Sequence, residues 1–167
     1  MYNEDQKIVF LFSPELDNTF LQELYSEDIQ QAEMVFESSI QQLRNEQQLA
    51  EARFYDGDIA GLKKIIHKMK PLFGYIGMTK TMEDFTAFEQ TCARFETAAE
   101  VENAFQHIKA ITREAVKKAE KEIKSLSKEI AKNEKKIKNN DSKALATDAN
   151  TNQILEETRK LKDKNTD

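Results

Sequence analysis

Apolar residues three and four apart recur along most of this chain, and no other feature limits its fold so strongly. Ile59, Leu62, Ile66, Met69, Phe73 and Ile76 form one such row. At 3.6 residues per turn they share one side of a helix, which needs a partner to bury it. A second row precedes it at Ile29, Ala32, Phe36, Ile40, Leu43, Gln47, Ala50 and Phe54. A third follows at Met82, Phe85, Phe88, Cys92 and Phe95. A fourth runs through Val101, Phe105, Ile108, Ile111, Ala115, Ala119, Ile123, Leu126, Ile130 and Ile137. The chain holds only 4 Gly and 2 Pro among 167 residues, so little interrupts these patterns. Four amphipathic helices with short links fold most simply as an all-α, antiparallel up-down four-helix bundle.

Local signals place the boundaries. Ser13-Pro14 reads as an N-cap with proline at the first helical position, opening a short helix to about Tyr25 with Leu16, Phe20 and Leu24 inward. Residues 1–13 form an N-terminal extension in which Ile8–Phe12 is expected to lie extended over the bundle. Asp28 caps the next helix, about 28 residues long, with Gln31 as its capping-box partner. Tyr55-Asp56-Gly57-Asp58 ends that helix and caps the one after it. Gly77 is the next stop, with Thr79 or Thr81 as the following cap, and Thr97-x-x-Glu100 opens the last helix. The last stripe outruns what one bundle can cover. The bundle is therefore set at 14–125, with 126–167 as a helical extension and flexible tail. The excess is expected to fray, pack on the tail or pair with another helix, including self-association. From Asn139 the polar sequence predicts disorder, relieved by a brief helix around Ile154, Leu155 and Leu161.

Charge and composition exclude several function classes. A net charge of −5 argues against a nucleic-acid partner. The basic run Lys117–Lys138 reads as a solvated helix face. No apolar run reaches ~18 residues, so no membrane partner is expected, and the single Cys92 fits a reducing, cytoplasmic setting. With two histidines and no E-x-x-H pair, a metal-binding bundle is rejected and no cofactor is expected. No G-x-S-x-G, P-loop or H-E-x-x-H motif is present, and nothing marks an ATP-binding domain, so the chain reads as neither a hydrolase nor a kinase.

What stands out is the face beside the third helix's buried row. Lys63, His67, Lys70 and Gly74 lie at i, i+4, i+7 and i+11, so a histidine looks outward with a lysine one turn on. His67-x-x-Lys70, followed by Gly74 and Gly77, resembles the signature of histidine phosphotransfer (HPt) domains, the four-helix phosphocarriers of two-component relays. The usual pattern is H-x-x-K-G, small residues, then G. Pro71 departs from it, standing where glycine is usual. The resemblance covers about residues 14–125. It implies that His67 accepts a phosphoryl group from a sensor or hybrid histidine kinase, or from a response-regulator receiver domain, and passes it on. It also implies that Mg²⁺ and the acceptor aspartate belong to the receiver, so the chain is a carrier and not an enzyme in its own right. The family orients its histidine from the following helix; by register Glu89 falls there, which leaves Nε2 as the nucleophile.

The residue types suit that chemistry. A phosphoacceptor histidine must be exposed and must keep one nitrogen lone pair free. Lys70 offers a mobile positive charge to a group bringing about two negative ones. Pro71 has no N–H for the carbonyl of His67, which predicts a bend there. Gly74, costing ~1 kcal/mol in a helix, serves either the approach of a partner or tight helix packing. The expected partner surface comprises Lys63, Lys64, Lys68, Pro71, Gly74 and Gly77, with an apolar patch from the first helix and the start of the second, and its lysines steer an acidic receiver. His107 has none of these neighbours. The competing reading is a non-catalytic interaction or adaptor module in which His67 is incidental.

Overall fold

The computed structural model of the chain describes residues 9–26 and 28–164, with the side chains of 161–164 excepted. Ile8 and the side chain of Leu161 fall outside that set. The described residues hold five helices and no strand: α1 (Asn18–Tyr25), α2 (Ile29–Tyr55), α3 (Ile59–Tyr75), α4 (Thr79–Arg94) and α5 (Ala98–Lys164). Two compact units divide at Ser127 and Lys128.

In the first unit α2, α3, α4 and the first part of α5 make the antiparallel bundle. Contacts between α3 and α4, and between α2 and α5, run in opposite directions along the two helices. Phe73 and Phe85 pack 4.5 Å apart between α3 and α4, where Gly74 also faces Met82. Phe54 stacks on Phe105 at 4.4 Å between α2 and α5, and Lys109–Glu51 and Arg44–Glu120 pair further along. Phe88 lies 6.0 Å from Phe105 and closes the ring between α4 and α5. The whole α3 row is buried, as are Phe36, Leu43, Phe85, Val101 and Leu126. Each large apolar side chain so buried contributes about 1.5–3 kcal/mol before chain entropy is charged against it.

The caps follow short-range chemistry. Asp28 accepts the N–H of Gln31 at 2.9 Å, and Asp58 that of Gly61 at 2.8 Å. Gly57 and Gly77 take the left-handed φ values, +74° and +72°, that end α2 and α3. The Thr97 N–H and Oγ1–H both donate to Glu100 at the start of α5.

Several expectations need correction. Ser13-Pro14 begins a turn, closed by the Leu16 N–H on the Ser13 carbonyl, and the cap of α1 is Asp17, which accepts the Phe20 N–H at 3.1 Å. The inward residues of α1 are Leu21 and Tyr25, while Phe20 and Leu24 are exposed. What decides this is a tertiary anchor: the Asp17 N–H donates to the Gly77 carbonyl, and Tyr25 Oη donates to the Tyr75 carbonyl at 2.6 Å. Neither Thr79 nor Thr81 caps α4; Met78 holds the N-cap position without a side-chain bond. Phe95 lies past the end of α4 and is exposed. Residues 9–13 take neither helix nor strand, with Phe12 buried and stacked 6.0 Å from Phe36.

In the second unit α5 continues to Lys164, where disorder with a brief helix was expected. No glycine or proline follows Gly77 in the sequence, and the Asn, Asp, Ser and Thr residues past Asn139 each cost a helix only up to ~0.7 kcal/mol relative to alanine. Residues 131–160 are all exposed.

Candidate functional site

α3 and α4 are joined by the short link 76–78, so the position of each residue on α3 fixes its neighbour on α4. Phe73–Phe85 and Gly74–Met82 set that register, and two turns further from the link it brings Glu89 opposite His67. His67 is 69% exposed, while Glu89 is only 18% exposed beneath it. His67 Nδ1 lies 2.9 Å from Glu89 Oε1. Lys70 Nζ donates to the other oxygen, Oε2, at 2.6 Å. One carboxylate thus holds both residues of the H-x-x-K pair.

The protonation states follow. The lysine hydrogen bond, with a further contribution from His67, holds the Glu89 carboxyl below its usual 4.5 against the opposing effect of burial. An ionised carboxylate only accepts, so His67 Nδ1 carries the proton and donates. In the neutral ring Nε2 then keeps its lone pair, and Nε2 has no hydrogen-bond partner among the described residues. The arrangement can present a nucleophilic nitrogen to solvent and stabilise positive charge that develops on the ring.

The surroundings sort the remaining predicted residues. Lys63 and Lys64 line the open depression shared by Ala60, His67 and Glu89. Lys68 is not a free rim charge: its Nζ donates to Glu46 at 2.6 Å. Glu46 is buried, and its second oxygen has no hydrogen-bond partner among the described residues. Sequence reading missed Glu46 by placing Gln47 on the α2 stripe, although Leu43, Glu46 and Ala50 also stand three and four apart. Pro71 is exposed within an unbroken α3.

The two glycines serve packing. Gly74 is buried, and a Cβ there would sit 3.0 Å from Met82 Sδ, so the glycine lets α4 come close. Gly77 is also buried, and a Cβ would reach 2.6 Å from Leu21 Cδ1; its place on the predicted partner surface is corrected, because α1 covers it. The apolar patch beside the site draws on α1, α3 and α4, and not on the start of α2. It is a groove of about 710 Å³ whose walls include Phe20, Pro71, Tyr75, Met82, Ala87 and Gln90.

Other groups add no second centre. Cys92, one turn beyond Glu89, is buried, and burial pushes its thiol up to about 11, so it stays protonated at neutral pH. His107 is exposed on α5. Among the described residues no three His, Cys, Asp or Glu side chains converge to hold a metal ion, and no helix is long and apolar enough to cross a membrane. No family model matches the chain, and neither does any curated protein or solved structure.

Proposed function

We propose that this chain is a phosphocarrier of the histidine phosphotransfer type, with His67 as the phosphoacceptor. The observation that carries the reading is the shared carboxylate: Glu89 fixes Nδ1 of an exposed His67 and holds Lys70 beside it. In the proposed step Nε2 attacks the phosphorus of a receiver's aspartyl phosphate. The N–P bond forms as the O–P bond breaks, and the aspartate leaves as a carboxylate. The ring then carries positive charge, which Glu89 balances. Lys70 moves from Glu89 Oε2 to the phosphoryl oxygens, a short swing for a side chain of that length. Little covalent assistance is asked of the protein; position and charge supply the effect. Mg²⁺ and the aspartate are assigned to the receiver, and the groove beside Pro71 to its docking.

The test is direct. The chain is incubated with a phosphorylated receiver domain and Mg²⁺, and the product is assayed for acid-labile, base-stable phosphate. Label on the wild type, none on His67→Gln and a slower or shorter-lived label on Lys70→Ala are expected. Label that survives His67→Gln would overturn the site. The second reading, an adaptor module, draws on the groove alone. It predicts receiver or partner binding that is indifferent to His67→Gln and accompanied by no label.

A further inference from the structure

The second unit presents a different problem. From Ala131 to Lys160 every residue of α5 is exposed, including Ile137 at 60%, Ile154 at 57% and Leu155 at 60%. A helix in a protein takes most of its stability from burying an apolar face. Here the middle of the segment, Asn139 to Asn152, is rich in Asn, Asp, Ser and Thr, which favour the helix least. Something that covers one face of this segment is the missing contribution.

The pattern says which face. The 3.5-residue seam that places Ile123 and Leu126 against the bundle continues through Ile130, Ile137, Ala144 and Ile154. With Ile130, Ile137 and Ala144 at a, position d holds Asn133, Asn140, Thr147 and Ile154. The opposite face carries Lys128, Lys132, Lys135 and Lys138, as a solvated outer surface should.

The charges flanking the seam say what covers it. Position e is acidic through three successive heptads, at Glu134, Asp141 and Asp148. Position g is basic at Lys136 and Lys143. In a parallel pair g meets the following e of the other strand, so Lys136 faces Asp141 and Lys143 faces Asp148 of the second copy, and the reverse. In an antiparallel pair e meets e and g meets g, which sets acid on acid and lysine on lysine. One parallel contact is unfavourable, Glu129 against Glu134, but Glu129 is already engaged by Lys132 of its own chain at 3.6 Å. Asn133 and Asn140 both meet their own counterparts only in register, where they can hydrogen-bond across the seam.

We propose that residues 128–160 pair with the same residues of a second copy of this chain as a parallel, in-register two-stranded coiled coil. The polar residues within the seam make the association reversible and dependent on concentration. It is independent of the chemistry at His67.

Sedimentation equilibrium of the full chain tests it. The expected mass rises from 19.3 kDa toward twice that value as concentration increases over roughly 5 to 500 µM. Ile137→Asp with Ile154→Asp should stay monomeric throughout. Lys136→Glu with Lys143→Glu should weaken self-association at least tenfold, and so should Asp141→Lys with Asp148→Lys. An equimolar mixture of those two charge variants should recover a dimer, which also guards against variants that merely unwind the helix. A mass of 19.3 kDa at every concentration would overturn the proposal and leave the face bare or reserved for a different protein. So would a mass beyond the dimer, or a dimer indifferent to the isoleucine substitutions. Charge variants that fail to recover on mixing would overturn the parallel arrangement.

Discussion

If one carboxylate holds both site residues, removing it must be felt unequally by the two. The perturbation is Glu89→Ala, alone and combined with Lys70→Ala or with His67→Ala. The Lys70 and Glu89 side chains are 20% and 18% exposed and meet at 2.6 Å. Exposed ion pairs couple by ~0.2–1 kcal/mol, and truncating one partner of a buried pair costs about 3–5 kcal/mol. A pair with about four-fifths of each side chain withdrawn from water belongs between these limits, at about 1.5–3 kcal/mol of coupling. His67 is 69% exposed, so water screens its contact with Glu89 and their coupling should stay near or under ~1 kcal/mol. Urea unfolding of the four variants in each cycle, at pH 8 and moderate salt, gives both numbers. The pH dependence supplies a control. Glu89 titrates below its unfolded value, so its contribution is fully present above the ordinary carboxylate range. It is lost as pH falls through that range toward the folded pKa. The reasoning is refuted by a Lys70–Glu89 coupling under ~0.5 kcal/mol, by a larger His67 coupling, or by a lysine coupling that survives undiminished at acid pH.

Two further predictions concern the frame around the site. Gly77→Ala should cost about 2–4 kcal/mol: ~1 for the left-handed φ and the rest for displacing Leu21, which is fully buried against it. A fall in urea midpoint without a change in slope would show it, and a cost below ~1 kcal/mol would mean that α1 is loosely held. Glu122 is buried, with its carboxyl pushed up by desolvation against one hydrogen bond from the Ser13 N–H. Because its folded pKa is raised, its contribution is full below the ordinary carboxylate range and is lost as pH rises through the folded value. Glu122→Gln should therefore gain about 1 kcal/mol at pH 7 and nothing at pH 3, which paired thermal melts at the two values would check.

The parts of this fold that are legible in the sequence are those that local chemistry or a short link decides. Asp28 and Asp58 bond to N–H groups three residues on, and Gly57 and Gly77 take positive φ, so these boundaries need no knowledge of the rest. Glu89 opposite His67 is legible because the α3–α4 link is short enough to fix the register. α1 is not legible in the same way. Two turns of helix offer Phe20 and Leu24 as readily as Leu21 and Tyr25, and the choice rests with bonds from Asp17 and Tyr25 to residues at 75–77. The role of Lys68 is hidden for a similar reason: its partner Glu46 belongs to another helix, and an acid on an apolar stripe is easily passed over for the glutamine beside it. The extent of α5 is not legible either, because the Asn, Asp, Ser and Thr residues past Asn139 have the polar composition of a disordered tail, yet none of them breaks a helix.

The pairing of Lys68 with Glu46 has a consequence for the electrostatic state of the His67 site. With Lys68 neutralised, the charges bordering His67 are those of Lys63, Lys64, Lys70 and Glu89, a formal excess of two positive charges. A phosphoryl group brings roughly two negative charges. The unloaded site would then attract an anionic donor, and the loaded site, counting the positive charge on the ring, would keep only about one of those charges, with a weaker long-range pull on either partner. Arrival and departure would be driven by opposite sides of the same neutralisation, and a single added or deleted lysine at this rim would favour one at the expense of the other.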